Sequence, residues 1–172
     1  MAFVLSLLVI LLAGLPARAA EIASFAGFPF GLTEAQSEAT AKKLGLGFKE
    51  PWGLDQDTNL HVYSGNVFGA TAQLINATFR KGALNAVLLE YSTSGTGMTE
   101  ARVEDQAKKV LEQFTREYGT DPAVYSVEDK PEDGLTRRIW KLGKVTVRYN
   151  YSMYAQQVSI SASLEGANWI PY

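Results

Sequence analysis

The chain contains no cysteine. Disulfide stapling, thiolate metal sites, a cysteine nucleophile and lipid attachment to an N-terminal cysteine are therefore all excluded, and stability has to come from a packed core. It has one histidine, His61. No G-x-S-x-G motif nominates a serine nucleophile for it, and no Gly-Lys-Ser/Thr motif marks a phosphate-binding loop. Charge of one sign is lacking too, with 16 basic against 18 acidic residues. So mild a balance gives no reason to expect nucleic acid as a partner. Long apolar runs are confined to Ala2 to Leu15, which is shorter than the ~20 residues a membrane span needs.

That run leads into Pro16-Ala17-Arg18-Ala19-Ala20 and reads as a secretory signal peptide, residues 1–19. Cleavage after Ala19 leaves the small residues Ala17 and Ala19 at the two selective positions. No Lys or Arg precedes the run, so the terminal amine supplies the positive charge. The expectation is a periplasmic or secreted protein with no membrane span in the mature chain.

The rest of the sequence is organised by a stretch that occurs twice. Gly31 to Leu44 and Gly97 to Val110 align without gaps at an offset of 66 residues, with eight of fourteen positions identical. Thr33 with Gln36 makes a capping box, and Gly45 supplies a stop, so the first copy starts a short helix. Its apolar stripe, Ala35, Ala41 and Leu44, is thin. The second copy opens a stronger helix, in which Val103, Ala107, Val110, Leu111, Phe114 and Tyr118 fall on one face at the helical period. Thr99 caps it, Met98 staples it to Val103 and Gly119 closes it.

Strands follow each helix. In the first half the readable ones are a strand from Leu46 to Trp52 interrupted by Pro51, Leu60 to Tyr63, Val67 to Phe79 and Ala83 to Tyr91. A tight turn is expected at Ser64-Gly65-Asn66-Val67 and another at Lys81-Gly82. The parity of apolar residues changes within Val67 to Phe79, which predicts a bulge. In the second half come Ala123 to Val127, an acidic loop from Glu128 to Asp133, Leu135 to Leu142, a turn at Gly143-Lys144, Val145 to Met153 and Ala155 to Leu164. Strict period-two alternation in the last two strands predicts one buried and one wet face. Ahead of all this, Phe25, Phe28 and Phe30 mark a short edge strand whose aromatics pack on the core.

The fold class is thus α+β: two tandem helix-plus-antiparallel-meander repeats, residues 20–92 and 93–172, forming one sheet with helices on one face. A tandem of such units, entered through G-[LM]-T-E-A in an exported chain, resembles the secreted β-lactamase-inhibitory proteins and half-units of the small outer-membrane assembly lipoproteins. The inhibitors carry disulfides and the lipoproteins a lipidated cysteine, neither of which is available here. In the inhibitors a concave open sheet face grips the partner, so the resemblance implies a binding surface here without naming its ligand.

Candidate binding residues come from two places. Arg137, Arg138, Lys141, Lys144 and Arg148 form the densest basic patch. If Arg138 and Arg148 share the wet face near Trp140, with Asn150 beside them, they could clamp a carboxylate, a phosphate or an acidic partner. His61 shares parity with Tyr63 and is expected on the wet face or at an edge. Other groupings have plainer explanations. Asp55 to Asn59 mimics the start of a calcium loop but has Leu60 where glycine is required. Gly95-Thr96-Gly97 is a linker, and the sequons at Asn76 and Asn150 fall inside predicted strands. Trp169, Ile170 and Tyr172 should dock on the sheet or on a partner.

The function these features suggest is an exported, non-enzymatic binding module for another envelope or extracellular protein, without a metal or cofactor. The alternatives are a carrier of a small apolar or amphiphilic ligand, with Arg148 or Arg138 holding a head group, and a hydrolase using His61 or the acidic loop.

Overall fold

A computed structural model describes residues 22–53, 55–91, 99–118, 125–130 and 134–167. The predicted signal peptide, the 92–98 linker, the Met98 staple, Gly119 and the Trp169–Tyr172 tail lie outside the described residues.

The elements in order are β1 (Ser24–Phe25), β2 (Phe28–Pro29), α1 (Glu34–Lys43), β3 (Gly47–Gly53), β4 (Thr58–Val67), β5 (Ala70–Arg80) and β6 (Ala83–Glu90). Then follow α2 (Glu100–Tyr118), β7 (Tyr125–Lys130), β8 (Leu135–Leu142), β9 (Val145–Ser152) and β10 (Gln157–Leu164). Strands β3 to β10 form one eight-stranded antiparallel sheet in the order β3-β4-β5-β6-β10-β9-β8-β7. Strands β6 and β10 pair at the centre, and β3 and β7 are the edges.

The buried face follows from the register. One row across the sheet reads Tyr63, Ile75, Leu89, Ile160 and Tyr149. The next reads His61, Ala77, Val87, Ala162, Val147 and Trp140. Every one of these side chains is buried. Large apolar groups in such a row contribute about 1.5–3 kcal/mol each.

Helix α1 begins as its sequence dictates. The Gln36 N–H donates to the Thr33 hydroxyl, and the Thr33 N–H donates to Gln36 Oε1. Gly45 closes it with φ +70°. Of its expected apolar stripe only Ala41 is buried, since Ala35 is exposed and Leu44 is 46 % exposed. Helix α2 buries Val103, Ala107, Val110 and Phe114, with Leu111 and Tyr118 half-buried against the same core. The Tyr149 hydroxyl donates to the Ala107 carbonyl at 3.2 Å and so ties α2 to β9. Exposed pairs Glu104–Lys108 and Asp105–Lys109 support the outer face of α2. At its start the Thr99 carbonyl accepts from the Arg102 and Val103 N–H groups. Among the described residues no helix is long and apolar enough to cross a membrane.

Three expectations change. The β4–β5 turn lies at Phe68-Gly69, both with positive φ, and not at Ser64–Val67. Gly65 instead sits where the β4–β5 register shifts, and a Cβ on it would meet Leu46 Cδ2 at 2.6 Å. Moving the turn onward lets Phe68 enter the aromatic core, where its ring centroid is 5.5 Å from that of Phe25 and 5.9 Å from that of Phe114. Second, Glu128, Asp129 and Lys130 belong to β7 and pair with Arg137, Thr136 and Leu135, so the acidic stretch is not wholly loop. Third, the N-terminal aromatics form a separate two-stranded hairpin, β1–β2, that is not an edge strand of the sheet. Phe25 and Phe28 are nonetheless fully buried. The bulge expected in β5 is present, since Gln73 and Leu74 stand against Ser64 alone.

Candidate binding surface

The second face of the sheet is read from the same register. Its central row runs Val62, Asn76, Leu88, Ser161, Arg148 and Ile139. A neighbouring row runs Leu74, Glu90, Ser159, Asn150 and Arg137. At the middle the side chains are short: Ala86, Ser161 and Ser163 are buried, and Asn76 is buried beside them. Leu74, Leu88, Ile139, Arg148, Asn150 and Glu90 are half-buried around them. The result is an apolar and hydrogen-bonding floor with a guanidinium and a carboxyl on it.

Arg148 and Asn150 stand on this face, as the alternation of β9 requires. Arg138 and Trp140 do not join them. Arg138 pairs with Tyr149 and Trp140 with Val147, both in the core rows, while Ile139 pairs with Arg148. Trp140 is 1 % exposed, with its ring centroid 4.8 Å from that of Phe114. The expected clamp of Arg138 and Arg148 around Trp140 is therefore not assembled, because the two arginines point to opposite sides of the sheet. A signal for this was present: a two-residue turn at Gly143-Lys144 pairs Leu142 with Val145 and fixes every later partner.

His61 is not on a wet face either. It is 3 % exposed and lies between the sheet and α1. Its Nε2 is 3.1 Å from Glu34 Oε2, and its Nδ1 is 3.4 Å from the Tyr63 hydroxyl and 3.6 Å from Glu38 Oε1. A proton on Nε2 donates to Glu34 and leaves Nδ1 to accept from Tyr63. Asn59 Nδ2 donates to the other Glu34 oxygen at 2.7 Å. Burial pushes the Tyr63 hydroxyl pKa above its ordinary value, so it remains a donor. The arrangement fastens a helix and offers an incoming substrate little access.

Sequence reasoning missed Asn76, Leu88 and Glu90. In the run Val87-Leu88-Leu89 apolar side chains occupy both faces of β6, and Leu88 is the residue that turns to the second one. Burial alone raises the pKa of the Glu90 carboxyl, which stands opposite Leu74 and Ser159. A carboxyl raised in the folded state binds its proton more tightly there than in the unfolded chain. It favours folding below the ordinary value of 4.5, and that contribution is lost as pH rises through the folded pKa. A Glu90→Gln variant should accordingly be more stable than the parent at neutral pH, with the difference shrinking in acid, as thermal melts across pH will show.

Clefts among the described residues include two more places to bind. One, of about 510 Å3, lies between α1 and β3 and is lined by Ala41, Leu46, Phe48 and Tyr63 with Glu38 and Lys42 at α1. Phe48 there is 48 % exposed. The other, of about 400 Å3, is polar and lies at the Asp55–Asp57 turn. Among the described residues no three His, Asp or Glu side chains converge to hold a metal ion. No protein-family model, curated protein or solved structure matches the chain.

Proposed function

We propose that the chain is an exported, non-enzymatic binding module that engages another envelope or extracellular protein through the second face of its sheet. The observation that carries this is the row Val62, Asn76, Leu88, Ser161, Arg148 and Ile139. In it apolar groups, amide and hydroxyl groups and one guanidinium lie side by side on one face of the sheet, the mixture that protein interfaces use. A periplasmic or secreted location follows from the signal-like N-terminus. We also read the architecture as two tandem repeats with both helices over the core face. Support for this comes from the mirrored strand order and from the contacts of α1 with His61 and of α2 with Tyr149.

A photo-crosslinking residue at Leu88 should capture a partner protein in the native envelope or culture fluid, whereas one at exposed Ala39 on α1 should not. Arg148→Glu should weaken that capture about tenfold by placing like charge against an acidic partner surface. Equal capture from both positions, or none from Leu88, would sink the proposal.

A second reading, carriage of a small apolar or amphiphilic ligand, is favoured by the groove between α1 and β3. Phe48 and Tyr63 line it, and Lys42 is the nearby cation in place of Arg138 or Arg148. Displacement of a fluorescent fatty-acid probe, abolished by Phe48→Asp, would support that reading over the first.

A further inference from the structure

The polar cleft at the Asp55–Asp57 turn opens at one end of the second face, where Thr78 pairs with Ala86 of its floor. It has a volume of about 400 Å3, and its lining includes Asp55, Asp57, Thr58, Thr78, Arg80 and Asn85. Asn85 is placed there by an irregularity in the ladder. Phe79 pairs with Leu84 and Thr78 with Ala86, so Asn85 has no strand partner. Bulges of this kind re-aim a side chain. The Asn85 Oδ1 atom is enclosed and has no hydrogen-bond partner among the described residues. A buried acceptor left unmade is costly, so an arriving donor gains more there than at the surface.

The groups around it restrict what that donor belongs to. Asp55 is already engaged, with its Oδ1 accepting from the Asp57 N–H at 2.8 Å. That bond, with the Thr58 hydroxyl second, holds the Asp55 carboxyl below its ordinary range. Arg80 donates through Nη1 to the Gly166 carbonyl at 3.3 Å. A phosphate or carboxylate would suit Arg80 but meets two carboxylates. A metal ion would suit the carboxylates but meets a guanidinium. A primary ammonium would donate to Asp57 and Asn85 but has no acceptor to offer Arg80. A hydroxyl group both donates and accepts, and neighbouring hydroxyls on one ring do so in adjacent directions.

We propose that this cleft binds a neutral, hydroxyl-rich ligand, a single hexose ring, with Asn85 and Asp57 accepting from its hydroxyls and Arg80 donating to them. The cleft shares a face with the proposed interface, but the inference does not rest on that reading, and its test reads the cleft amides and not capture from Leu88.

Nitrogen-15-labelled full-length chain titrated with methyl α-glucopyranoside, methyl α-galactopyranoside and N-acetylglucosamine provides the test. Ethylammonium chloride and sodium phosphate serve as probes of the two charged classes. At least one sugar should shift the backbone amides of Asp57, Thr58, Thr78, Arg80 and Asn85, and Asn85→Leu should weaken that binding about tenfold. Asp57→Ala provides a second variant should Asn85→Leu fail to fold, with the same weakening expected. The proposal is overturned if no sugar shifts these amides, if the folded variants bind as the parent does, or if ethylammonium or phosphate alone shifts them.

Discussion

Replacing Phe114 by alanine should cost about 3–5 kcal/mol of stability, against a total for a domain of this size of about 5–15 kcal/mol. Phe114 is fully buried, and its ring is where four separately formed parts of the chain meet. Its centroid lies 4.8 Å from those of Trp140 in β8 and Tyr118 in α2, 5.9 Å from Phe68 in the β4–β5 turn and 6.2 Å from Phe25 in the N-terminal hairpin. Truncation removes the ring's own burial and also leaves a cavity whose walls come from α2, β8, the β4–β5 turn and the N-terminal hairpin, so none can collapse into it alone. Urea unfolding followed by far-ultraviolet circular dichroism will give the loss directly. Phe114→Leu should recover roughly half of it, because a branched aliphatic group refills part of the volume. A loss below ~1 kcal/mol for the alanine variant would mean that the hairpin and the β4–β5 turn repack without it.

Much of this arrangement was legible in the chain. The apolar period of α2 names the residues that become buried, and strict alternation separates the core face from the second face in β9, whereas in β10 the second-face Ser161 and Ser163 are buried too and the expected wet face is not found. The capping box of Thr33 and Gln36 and the turns at Lys81-Gly82 and Gly143-Lys144 are local chemistry, so they were readable locally. What sequence could not supply was the choice between a turn and a bulge at Gly65. A positive-φ glycine serves either, and the decision was taken by Leu46 and Phe68, which lie outside the tetrapeptide.

The candidate site was half legible for a related reason. Period two assigns parity within a strand but says nothing about which parity of the next strand matches it. Arg138 and Arg148 look alike in the sequence and are separated by that match. Register could have been carried across the two-residue turn, and it would have placed Ile139 beside Arg148 at once. The β5–β6 hairpin sets Asn76 beside Leu88, but Leu88 and Glu90 reach Ser161 and Ser159 only because β6 meets β10 at the centre of the sheet, a pairing between residues about 70 positions apart that no local pattern encodes.

His61 carries the second large effect. Parity with Tyr63 was right, but what buries both is α1, and the sequence shows α1 only as a helix with a poor apolar stripe. Such a helix gains little from its own burial, with Ala41 its one buried apolar side chain. Its attachment instead runs through Glu34, which accepts from Asn59 at 2.7 Å and meets His61 at 3.1 Å, with the imidazole ring packed 4.9 Å from Phe79. His61→Ala removes the ring and the Glu34 and Tyr63 bonds together, and should cost about 2–4 kcal/mol. His61→Phe separates these contributions. It refills the ring's volume against Phe79 but restores neither bond, so it should recover stability without restoring the attachment of α1. The discriminating measurement is amide hydrogen exchange along the two helices. In both variants the amides of α1 should exchange faster by a larger factor than those of α2, because only α1 depends on this polar contact. If α1 exchange stays unchanged while global stability falls, the imidazole acts as core filling alone and the Glu34–His61 contact adds nothing to holding the helix.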